Sequence, residues 1–160
     1  MLVRSFAFVR CVFLGVILFI FSSQNAYSQT MLVSNEEFLA EQREGNSSNV
    51  DIRYAGSLVV GAPLIEIKFP DVNKPITVPT RIQIRFVIQP PAEPDLSSFK
   101  IRYGQKQWDI TDRVLPKASL SKEGLNADSV SLPPGHHQLS VTIADSLGRQ
   151  TIHVFKLSIQ

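Results

Sequence analysis

Cysteine is nearly absent: among 160 residues only Cys11 is one, and it lies in an apolar run near the N-terminus. Beyond that run no disulfide can form, so the fold must be held by its core, and thiolate metal sites are excluded. Charge is also sparse at 19% of residues, against 44% hydrophobic, which rules out a disordered polyelectrolyte. Long apolar stretches are missing too. The run Cys11–Phe21 has 11 residues, well short of the roughly 18 to 20 that span a bilayer. There is no Gly-x-Ser-x-Gly elbow, so one common mark of nucleophilic hydrolysis is lacking.

What is present begins with a leader. Arg4 and Arg10 are the only charges in the first 35 residues; the apolar run follows them, and Ala26-Tyr27-Ser28 follows the run. A basic start, a short apolar core and a small-x-small site form the layout of a secretory signal peptide, so residues 1–28 are read as a leader cut after Ser28. Retention of the run as an anchor is the competing outcome. A lipid anchor is not expected, because Cys11 opens the apolar run instead of closing it. Losing Arg4 and Arg10 from 16 basic residues leaves 14 against 14 acidic. A neutral, exported chain without aromatics interleaved among its cations is a poor nucleic-acid binder. No membrane span remains once the leader is gone, and about 130 residues suffice for a core of their own.

After the leader, residues 29–56 read as a helix and linker. Ser34 and Glu37 form a capping box, acids fill the first turn and Gly45 supplies a stop, which predicts a helix from Asn35 to Glu44 with Phe38 and Leu39 as its apolar anchors. The stretch Gly45–Val50 is a link carrying an Asn46-Ser47-Ser48 sequon. From residue 57 to 160 the pattern changes to period two. Ile65, Ile67 and Phe69 are expected inward on one strand, and Ile82, Ile84, Phe86 and Ile88 on the clearest one. Phe99, Ile101 and Tyr103 repeat the alternation. Gln107–Val114 reads as a weaker strand and Pro116–Asp128 as a polar loop. Leu139, Val141 and Ile143 mark another strand, and Gln150–Ile159 closes the chain. Seven prolines (Pro75, Pro79, Pro90, Pro91, Pro94, Pro133, Pro134) are placed between strands. Half-buried strands with no crossover helix predict an all-β fold, a two-layer antiparallel sandwich.

The segment Leu132-Pro133-Pro134-Gly135 entering a strand, with Asp145-Ser146-Leu147-Gly148-Arg149 joining the last two strands, resembles the end of a bacterial Ig-like domain. Gly135 and Gly148 are suited to φ > 0, and Asp145 to accepting hydrogen bonds from the turn backbone. The likeness extends loosely from Pro63 to Ile159, including Asp109-Ile110-Thr111, and leaves the helix outside. It implies an immunoglobulin-like antiparallel sandwich without shared catalytic residues, to which the short N-terminal helix is an addition.

Candidate chemistry is thin. His136, His137 and His153 are weak metal candidates, but adjacent residues of a strand face opposite ways, so His136 and His137 are read as solvated turn residues. The acids Asp109, Asp112, Glu93 and Asp95 are read as loop carboxylates, and Trp108 as core before sugar platform. No cofactor is expected. Arg81 and Arg85 share the outer face of one strand, with Lys100 and Arg102 on or near that of the next, a set suited to an anionic group. In the last strand Ile152 and Val154 fall on the outer face beside Gln138, Ser140 and Thr142, which marks a contact surface unless Phe38 and Leu39 cover them. The expectation is a periplasmic or secreted, non-catalytic module that binds an envelope protein. The alternative is a copper or glycan carrier.

Overall fold

The computed structural model describes residues 30–45 and 59–160. The leader, its cut after Ser28 and the sequon at Asn46 lie outside the described residues. The chain folds as a two-sheet all-β sandwich. In chain order it contains β1 (Thr30–Met31), α1 (Asn35–Gly45), β2 (Leu64–Phe69), β3 (Thr80–Val87), β4 (Pro94–Tyr103), β5 (Trp108–Asp109) and α2 (Thr111–Val114). It ends with β6 (Ala118–Ser121), β7 (Gly124–Ser131), β8 (Gly135–Asp145) and β9 (Gln150–Ile159).

One sheet runs β2-β3-β7, and the far side of β7 is shared by β6 and β1; the other runs β5-β4-β8-β9. With β2, β3, β7 and β6 on one side and β4, β8 and β9 on the other, the order matches the ABED and CFG sheets of an immunoglobulin sandwich, and β5 adds an edge. Alternation explains the core. Ile82, Ile84 and Phe86 from β3 face Phe99, Ile101 and Tyr103 from β4, with Leu139, Val141, Ile143, Phe155 and Leu157 completing the layer. Pro94 is the first residue of β4 and not a loop residue, the one strand position where a missing N–H costs no ladder bond.

Three further expectations need correction. Phe69 does not face inward: the register shifts between Ile67 and Phe69, and the ring is 42% exposed under the Arg81 guanidinium, 5.5 Å away. Gln107–Val114 is not one strand. Asp109 Oδ1 accepts the Thr111 N–H at 2.9 Å, which turns the chain out of extension into α2. Pro116–Asp128 is not a loop but the β6–β7 hairpin, in which Leu125 and Ala127 are buried while Asn126 and Asp128 face solvent. Its polarity is that of an outer face.

The capping box forms as read: Ser34 N–H donates to Glu37 at 2.9 Å and Glu37 N–H donates to Ser34 Oγ at 3.1 Å. Residues 30–45 are packed on the sandwich. β1 pairs in parallel with Val130 and Ser131, and Leu32 and Val33 are buried in the same core as β3 and β8.

Candidate interaction surface

Four of the six residues expected to form a contact surface fall on one sheet face. Lys100 is paired with Thr142 and Thr142 with Ile152; one step along, Arg102 is paired with Ser140 and Ser140 with Val154. These two registered rows give a cationic flank on β4, a small polar centre on β8 and an apolar flank on β9. Ser140 and Thr142 are fully buried although they point outward, because the longer side chains beside them close over the centre. Ser140 Oγ donates to Gln107 Oε1 at 2.7 Å, while Thr142 Oγ1 has no hydrogen-bond partner among the described residues. Lys100 Nζ sits 3.3 Å from Asp109 Oδ2, and that carboxylate is held below its usual range first by the Thr111 hydroxyl.

Arg81 and Arg85 do not belong to this face. They lie on β3 in the other sheet, so the cations expected together occupy opposite outer surfaces. Strands adjacent in the chain need not be adjacent in a sheet, and the β3–β4 connection crosses from one sheet to the other. β9 is an edge strand. Its last residues are met by Ile76, whose N–H donates to the Ser158 carbonyl and whose carbonyl accepts the Gln160 N–H. Ile152 is 38% exposed and Val154 half-buried. Phe38 and Leu39 do not cover them: Leu39 is 49% exposed, and Phe38 packs on His137, five residues or about 17 Å along β8 from Thr142.

The histidines separate as the alternation requires, but His137 is not solvated. It is 2% exposed, whereas His136 faces solvent. The Tyr103 hydroxyl donates to His137 Nδ1 at 2.8 Å, and His137 Nε2–H donates to the Pro133 carbonyl at 2.7 Å, which fixes the tautomer. Burial lowers the His137 pKa and raises that of Tyr103 to about 12. His153 faces inward, half-buried, opposite Val141. Among the described residues no group of three or more His, Cys, Asp or Glu is gathered as a metal site would need. Trp108 is half-buried and stacks on Tyr103 at 6.2 Å.

A cavity of about 450 Å³ lies beside this network, lined by Glu41 and Gln42 of α1, Gln105, and His136, Gln138 and Lys156 of the sheet. Sequence reasoning missed it, because α1 and β8 are distant in the chain. Periodicity carries no signal for such a contact. The helix is further held by Glu37, which accepts two bonds from Arg113 at 2.8 Å; that pairing brings its pKa to about 2. Among the described residues no helix is long and apolar enough to cross a membrane. No family model matches the chain, and no curated protein or solved structure is significantly similar to it.

Proposed function

We propose that this chain is an exported, non-catalytic Ig-like module that binds a protein of the cell envelope through the outer face of β4, β8 and β9. The supporting observation is the pair of registered rows, Lys100–Thr142–Ile152 and Arg102–Ser140–Val154. Cations along one side and β-branched apolar residues along the other, over a centre of small side chains, fit a partner with acids on one edge and apolar residues on the other. Crosslinked capture from the envelope, comparing the unaltered chain with Ile152→Thr/Val154→Thr and with Lys100→Glu/Arg102→Glu, tests this reading. Both variants should lose the partner while keeping the thermal melt. Capture unaffected by either change sinks the proposal.

A second reading, a glycan carrier, rests on the cavity beside α1, whose Gln42, Gln105 and Gln138 amides suit sugar hydroxyls. A glycan panel with Gln138→Ala as control separates it from the first.

A further inference from the structure

α1 is held by few contacts, and its apolar anchor rests on a titratable ring. Leu39 is half exposed, so Phe38 supplies the large apolar contact, its ring 4.9 Å from that of His137. Glu41 accepts the Gln105 N–H, and Glu37 pairs with Arg113. Beneath Phe38, both His137 nitrogens are committed in opposite senses: Nδ1 accepts from Tyr103 and Nε2–H donates to Pro133. A second proton on the ring would turn the Tyr103 hydroxyl from donor to acceptor and place a cation in a site only 2% exposed beneath Phe38.

The charged groups around this site are of both signs. α1 contributes Glu37, which is paired with Arg113, and Glu41, which accepts the Gln105 N–H and keeps its negative charge. β8 itself contributes His136 and β9 contributes Lys156, both of which oppose another positive charge, while β4 presents the neutral Tyr103 hydroxyl. Among the described residues no carboxylate is hydrogen-bonded to the His137 ring.

We propose that α1 is an acid-released latch, seated while His137 is neutral and released from β8 and the β4–β5 turn when that ring takes up a proton, which opens the cavity beside Glu41 and Lys156. The sign follows from linkage. The seated ring has a pKa below its ordinary 6.5, because burial disfavours the cation. The seated state therefore holds its full advantage above about pH 6.5 and loses it as the pH falls toward the seated value.

Hydrogen exchange on the full chain tests this, comparing protection factors for Asn35–Arg43 with those for Val141–Asp145 from about pH 7.5 to about pH 5. Protection of the helix should fall across that range, while the strand peptides hold. His137→Gln, which keeps a donor and an acceptor but does not titrate, should give a flat helix profile; His136→Ala and His153→Ala should keep the fall. Helix protection constant down to about pH 5, or lost equally in His137→Gln, overturns the proposal. Should His137→Gln fail to fold, the imidazole titration of the unaltered chain decides. A His137 midpoint that coincides with helix loss supports the latch, and titration without helix loss overturns it.

Discussion

At one end of the sandwich the β8–β9 turn is closed chiefly by its own residues, with Ser146 also bonded to Glu93, whereas at the other α1 is seated by partners 64 and 76 positions away in the chain. In the turn, Asp145 accepts the N–H groups of Leu147 and Arg149 and pairs with the Arg149 guanidinium at 2.6 Å, all within five residues. The local end is built from parts that meet as soon as they are made. The distant end depends on side chains that meet only once both sheets are in place, and one of them is a buried imidazole. The contrast separates a closure that belongs to the fold from one that can be opened without unfolding it.

The comparison can be broken most severely at Asp145. Asp145→Ala strips the acceptor from two N–H groups and from Arg149, and thermal melting should show a larger loss than any change in α1. Next come two glycines that share a left-handed requirement. Gly135 has φ +135°, and a Cβ there would lie 2.5 Å from Phe38 Cζ; Gly148 has φ +77° with nothing within 4 Å. Gly135→Ala should cost about 2–3 kcal/mol and expose α1 selectively to exchange, combining strain with displacement of Phe38. Gly148→Ala should cost only about 1 kcal/mol, spread over the whole domain. Equal costs from denaturant titration would erase the distinction between the ends.

The smallest effect is expected at Glu37, a surface pair discounted for solvent screening: Glu37→Gln should cost about 0.5 kcal/mol at neutral pH. Its folded pKa of about 2 lies below the ordinary 4.5, so the contribution is present above 4.5 and lost as pH falls toward 2. Urea curves of variant and parent should converge over that window, far below the range in which His137 acts.

The same contrast governs how much could be read in advance. The capping box at Ser34, the turn residues Gly135, Asp145 and Gly148, and the inward sets on β3, β4, β8 and β9 are encoded within a few residues of themselves, and the sequence carried them. The β6–β7 hairpin was lost because one of its faces is water-facing and the buried face relies on small Ala127 beside Leu125, too weak an alternation to register. For the interaction face, Ile152, Val154, Lys100 and Arg102 were legible as outward, but which strands lie side by side is a property of the crossing between sheets. Nothing local distinguishes the buried His137 from the exposed His136 beyond parity, and the helix that seals it was assigned to a separate segment.

The parallel pairing of β1 with the end of β7 imposes an order in time. Thr30 and Met31 are among the first described residues to be synthesised, yet their partners Val130 and Ser131 follow about a hundred residues later. Until β7 exists, β1 has no strand with which to pair, and Leu32 and Val33 lack part of the core that buries them. Seating of the N-terminal strand and helix is thus a late step in assembly.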